Sequence, residues 1–76
     1  INLKKIIMIK ITGSKIEELT MADLEDQKET LKILSQRDYI NCIELNLESD
    51  DPYMEFECDD EDRFYDDINE ITDDLV

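Results

Sequence analysis

The chain has 76 residues, enough for one small domain, and its 41% hydrophobic content is sufficient to fold rather than remain an acidic tail. Its formal net charge is −14, from 22 acids against eight bases, and it contains no histidine. Phosphates and anionic lipids are repelled by such a chain, which excludes direct nucleic-acid binding and an anionic membrane surface, and the commonest general base and metal ligand is missing.

The charge is confined. Residues 1–47 hold eight acids against seven bases, whereas residues 48–76 hold fourteen acids against Arg63 alone, so −13 of the −14 lies in the last 29 residues. Asymmetry of this kind points to an interaction surface. Cys42 and Cys58 are too few for a disulfide framework, and no signal-peptide pattern opens the chain. The apolar start is too short and too rich in lysine to span a bilayer. These features predict a cytosolic protein with reduced thiols.

In chain order, LKKIIMIKI (Leu3 to Ile11) is β-branched and almost continuously apolar, which predicts a central strand. Gly13 and Ser14 end it. Two readings are open for residues 15–21: a tight turn into another strand, or a Ser14–Glu17 capping box that starts a helix. Thr20 and Asp23 form a second cap-like pair, and Leu24, Leu31 and Leu34 recur on one face, predicting a helix over 22–36.

YINCIELNL (Tyr39 to Leu47) and YMEFEC (Tyr53 to Cys58) both alternate, and Ser49 to Pro52 read as the loop between them. If Ile43, Leu45 and Leu47 share a core with Met54, Phe56 and Cys58, Ile43 opposes Cys58, Leu45 opposes Phe56 and Leu47 opposes Met54. On the other face Glu44 then opposes Glu57, Asn46 opposes Glu55 and Glu48 opposes Tyr53. Like charges placed so are destabilising by up to ~1 kcal/mol. The same register sets Cys42 and Cys58 on opposite faces. Finally, Phe64, Ile68, Ile71 and Leu75 make one apolar stripe, predicting an amphipathic helix over 60–75. Asp59 to Asp62 favour the positive end of its dipole, and Asp73 and Asp74 sit at the unfavourable end.

Chemistry narrows the options. A catalytic carboxylate pair needs a cleft that so short a chain has little room to form, and no nucleophile has a histidine base, so the chain does not read as an enzyme. An EF-hand loop starting at Asp60 would need a ligand at Phe64 and a glycine at Tyr65, so that motif fails. No metal site and no cofactor is expected. Charge confined to one region suits a different task. Carboxylates on alternate strand residues or one helical turn apart lie ~6–7 Å apart, close to the spacing of backbone phosphates. A rigid array of this kind occupies a basic groove built for DNA or RNA with little entropy loss, and opposite fields steer the encounter.

The run ECDDEDRFYDDINEIT (Glu57 to Thr72) resembles the acidic loop and final helix of a small type II-A anti-CRISPR family, phage-encoded inhibitors of Cas9. The matching positions are Glu57, Asp60 and Glu61, then Phe64 and Tyr65, Asp67, Ile68, Ile71 and Thr72. The resemblance implies a DNA mimic that fills the PAM-reading cleft of guide-loaded Cas9, where arginines read guanine edges. It also implies an inserting loop of Glu57, Asp59, Asp60 and Glu61, supported by Asp62. The chain departs from the family at Cys58, where the family has an interface tyrosine, and at Arg63, where it has an acid. The family also opens with a helix rather than a strand.

The expected protein is a single α+β domain: a small antiparallel sheet of three or four strands with two helices packed on one face. Residues 48–76 carry its acidic surface. The expected partner-binding residues are Glu44, Glu48, Asp50, Asp51, Glu55, Glu57, Asp59, Asp60, Glu61, Asp62, Tyr65 and Asp66. The exposed sheet face, the Asp50–Asp51 turn and the last helix are expected to form one continuous negative surface. The partner is expected to be a basic nucleic-acid-binding protein, with guide-loaded Cas9 in a bacterial cytoplasm favoured. The alternative is an immunity or antitoxin-type module that neutralises another basic nuclease, with Tyr53 or Tyr65 as its hot spots.

Overall fold

The computed structural model describes residues 5–75. Along the chain run β1 (Ile7–Thr12), α1 (Gly13–Thr20), α2 (Leu24–Ser35), β2 (Asn41–Asn46), β3 (Tyr53–Cys58) and α3 (Glu61–Leu75). The strands make one antiparallel sheet in the order β1-β3-β2. The class is α+β, with three helices where two were expected.

β1 is therefore an edge strand, not the central one; β3 holds the centre. Two helices separate β1 from β2, and the last strand slots between them. Alternation turns Ile9 and Ile11 to the core, while Met8 points outward and is 59% exposed, as is Ile6 just before the strand at 66%. An apolar run is not in itself a buried run. Leu3 and Lys4 of the expected strand lie outside the described residues.

Residues 15–21, left open between strand and helix, are helical up to Thr20. The cap is Thr12, whose Oγ1 accepts the Lys15 N–H at 3.2 Å, and not the Ser14–Glu17 box that the helical reading of this segment offered. Ser14 instead donates its N–H and its hydroxyl to Asp51 Oδ1 at 2.9 and 2.8 Å, tying the start of α1 to the β2–β3 loop. Gly13 makes that approach possible. Its N–H meets the Pro52 carbonyl at 2.6 Å, and a Cβ there would lie 2.5 Å from Gln27 Oε1 and 2.9 Å from Pro52 Cδ. Gly13→Ala is expected to destabilise the domain by about 1–3 kcal/mol, measured by urea denaturation. An unchanged midpoint would show that the loop gives way freely.

α1 stops at Met21, which adopts φ 63° and donates its N–H to the Glu17 carbonyl at 2.7 Å. Asp23 itself caps α2, its Oδ1 accepting the Asp26 N–H at 2.9 Å. The helix therefore starts at Leu24 rather than at residue 22, and Thr20, expected to pair with Asp23 at the cap, belongs to the end of α1. Asp60 caps α3 likewise, accepting the Arg63 N–H at 3.0 Å.

One face of the sheet is buried. Ile11, Met54, Phe56 and Cys58 join Ile16 of α1, Leu31 and Leu34 of α2, and Phe64, Ile68 and Ile71 of α3 in one core. The Phe56 and Phe64 rings stand 4.6 Å apart at its centre. The stripe expected on the last helix is thus the surface that α3 buries.

The β2–β3 register differs from the expected one. Asn41 opposes Glu57, Cys42 opposes Phe56, Glu44 opposes Glu55, Leu45 opposes Met54 and Asn46 opposes Tyr53, with an irregularity between Cys42 and Glu44. Ile43 is the extra residue and is 52% exposed. One inserted residue switches the parity of a strand, so Cys42 and Leu45, three apart, both pack against the core. Strict alternation forbids that. It follows that Cys42 and Cys58 face the same side, not opposite sides, and both are free thiols. Leu47 leaves the strand but still packs against the core, which lengthens the loop and moves Glu48 out of the sheet.

Candidate functional site

The expected binding residues fall into three groups. Glu44, Glu55 and Glu57 lie on the outer face of the sheet. Glu48, Asp50 and Asp51 lie in the β2–β3 loop, at the end of the sheet where β3 begins. Asp59, Asp60, Glu61 and Asp62 form the turn into α3 at its other end, with Tyr65 and Asp66 one turn further on. Six strand residues, ~20 Å, separate the loop from the turn.

These groups do not lie on one face of the molecule. Glu55 and Glu57 alternate with Met54, Phe56 and Cys58, and it is the latter that pack on α3. The outer face of the sheet and the outer face of α3 are therefore back to back, across the core. Lys10 also breaks the sheet-face charge: it pairs with Glu55 across the β1–β3 ladder, and its Nζ lies 4.5 Å from the centre of the Tyr53 ring. The expected opposition of Glu44 and Glu57 is absent, and the shifted register sets Glu44 against Glu55 in its place. Glu57 instead accepts a hydrogen bond from Asn41 Nδ2 at 3.0 Å, and Glu44 accepts one from the Tyr53 hydroxyl at 3.0 Å. Asp51 is committed to Ser14. Tyr65 is half-buried and sets its ring edge-on to Phe64 at 5.2 Å, so much of it belongs to the core margin.

The turn at Asp59–Asp62 is where the two acidic faces meet. All four residues are exposed on the rim between β3 and α3. From there Asp62, Asp66, Glu70 and Asp73, at i, i+4, i+8 and i+11, form an exposed ridge with ~6 Å between successive turns. Glu70 and Asp73 were not among the expected residues, although their helical spacing from Asp66 is visible in the sequence.

Beside that ridge lies a feature the sequence did not disclose. Asp67 is buried and accepts three hydrogen bonds: from Arg37 Nε at 3.0 Å, Arg37 Nη2 at 3.2 Å and the Tyr39 hydroxyl at 2.7 Å. Arg63 stacks on the Tyr39 ring, its guanidinium 4.1 Å from the ring centre, and reaches Asp38 at 3.8 Å. Both arginines of the chain thus line one groove of about 940 Å³ with Tyr39, Asp62, Asp66 and Glu70. The hydrogen bond with Asp67 holds the Arg37 guanidinium above its ordinary pKa.

Burial, and then donation to Asp67, push the Tyr39 phenol well above its ordinary value near 10.0. Burial also pushes the Cys58 thiol above 9.0. Both groups are neutral when protonated, so the unfolded chain ionises first. Their contribution to stability is complete below about pH 9 and is lost as the pH rises through the folded-state values. Urea midpoints are expected to hold up to pH 9 and fall beyond it, with a shallower fall above pH 10 in Tyr39→Phe. Equal slopes in the two proteins would remove Tyr39 from this account.

Among the described residues no group of three or more histidine, cysteine, aspartate or glutamate side chains is arranged to hold a metal ion. No helix among them is long and apolar enough to cross a membrane. No protein-family model, curated protein or solved structure matches this chain.

Proposed function

We propose that this protein is an inhibitor that mimics nucleic acid, using the Asp59–Asp62 turn to enter the basic nucleic-acid cleft of a target, with the PAM-reading cleft of guide-loaded Cas9 the favoured case. The observation that carries this reading is the convergence of both acidic faces at that turn, whose four acids are all exposed. Strand β3 and helix α3 hold it rigidly through the Asp60 cap and the Phe56–Phe64 contact. A pre-organised array loses little entropy on binding. Self-repulsion among its carboxylates is relieved when a partner's arginines arrive. Arg63 is turned onto Tyr39 and Asp38, which draws its charge toward the groove.

A second reading is an immunity-type module for another basic nuclease. The Arg63–Tyr39 stack favours it, since an exposed arginine on an aromatic ring is the kind of pair that dominates binding energy at protein interfaces.

The test is capture of guide-loaded Cas9 by the tagged protein, eluted along a salt gradient, with and without a duplex carrying the PAM. Capture that the duplex competes away and that weakens steeply with salt is expected. Capture indifferent to the duplex would remove the PAM cleft from the proposal. No capture of Cas9 by a folded sample would end the Cas9 case.

A further inference from the structure

We propose that the corner between α1 and α2 is a separate docking surface for a protein partner, one that presents an apolar side chain flanked by lysine or arginine. Three large apolar residues stand exposed within six positions: Leu19 at 42%, Met21 at 89% and Leu24 at 39%. Met21 does so in the left-handed backbone region, φ 63°, where glycine is the ordinary occupant of a helix C-terminus and a side chain adds strain. The Met21 backbone ends α1, a task that glycine performs without strain, and its exposed apolar side chain serves neither that cap nor the core, which points to a contact outside the molecule.

Leu19 and Met21 wall a hollow of about 520 Å³ between this corner and the C-terminal half of α3. Ala22 adds an apolar surface, while Asp23, Asp26 and Asp73 lend the same hollow acidic groups. That charge selects the occupant. Nucleic acid is repelled, and a second copy would bring a net charge of −14 and the same aspartates against these. A cationic segment with an apolar anchor satisfies both parts of the surface: the anchor covers Leu19 and Met21, and the cations meet the aspartates. The corner lies by the end of α3 remote from the Asp59–Asp62 turn. The inference does not depend on what that turn binds.

The three methionines allow a direct test on protein carrying ¹³C in its methionine methyl groups. Met54 reports the core, Met8 the outer sheet face and Met21 the corner. The probe is a synthetic peptide of leucine and lysine at helical spacing; the control has serine for every leucine and the same charge. The Met21 signal is expected to shift with the leucine peptide while Met8 and Met54 stay in place. Met21→Gly is expected to fold with an unchanged or raised Tm and to bind that peptide about tenfold more weakly. Leu19→Ser, checked for a native circular dichroism spectrum, is expected to weaken it similarly. Equal shifts with the serine peptide, equal shifts at Met8, or unchanged affinity in a folded Met21→Gly protein would each overturn the proposal. No Cas9 enters this experiment, so its failure and the failure of the mimicry reading are separate results.

Discussion

A protein carrying Asp59→Asn, Asp60→Asn and Glu61→Gln is expected to fold normally and to bind guide-loaded Cas9 at least about a hundredfold more weakly. The three charges sit at the leading rim, where each would meet a cation in the target, and charge-assisted hydrogen bonds contribute ~1.5–3 kcal/mol apiece. A loss of about 3 kcal/mol in total already gives a factor of a hundred. The choice of amides matters. Asp60 caps α3 through its Oδ1, and asparagine keeps that hydrogen bond where alanine would cost about 1 kcal/mol. Weaker interaction with the helix dipole is offset by relief of repulsion among neighbours. Isothermal calorimetry beside urea denaturation separates the two effects. Full affinity in the folded triple variant would remove the turn from the interface and leave the ridge of α3 to be tested.

Asp67→Ala is expected to do the opposite, lowering stability by about 2–4 kcal/mol while leaving the surface acids in place. It strips three hydrogen bonds at once and leaves the Tyr39 hydroxyl and Arg37 without the acceptor they share. The figure lies below that for a fully buried pair because the Arg37 side chain is 43% exposed. Against a total of ~4–11 kcal/mol for a domain of this size, it is a large fraction. Asp67→Asn, which can still accept from Tyr39, should be milder. Any binding lost by either variant should return at a temperature low enough to keep it folded. If Asp67→Ala denatures like the parent, the Arg37–Asp67–Tyr39 network is ornamental to stability.

Asp67 also shows where sequence reasoning ends. In the sequence it is one more acid in a run of acids, alike in composition to Asp66. One helical step, about 100°, turns it toward Arg37, thirty residues away, and makes it structural. Its spacing of three from Phe64 and four from Ile71 places it beside the apolar stripe, but nothing local names Arg37 as its partner. The same holds for Lys10, which faces Glu55 only because β1 pairs with β3.

Where a pattern repeats along a single element, the chain was legible. The stripe of Phe64, Ile68 and Ile71 is buried as expected, and the alternation of Met54, Phe56 and Cys58 marks the core face of β3. Each depends on backbone periods of 3.6 or 2 residues, which are properties of a few neighbouring residues. The confinement of charge to residues 48–76 is likewise plain from order alone. Tertiary structure decided the rest: that β1 lies at an edge, that Ile43 is an inserted residue, that Cys42 turns inward, and that the acids divide between two faces meeting at Asp59–Asp62. Alternation states which residues share a side but not which strand lies beside which. A single extra residue exchanges the sides, because the outcome is set by competition between pairings across the whole sheet and by how many apolar side chains each one buries.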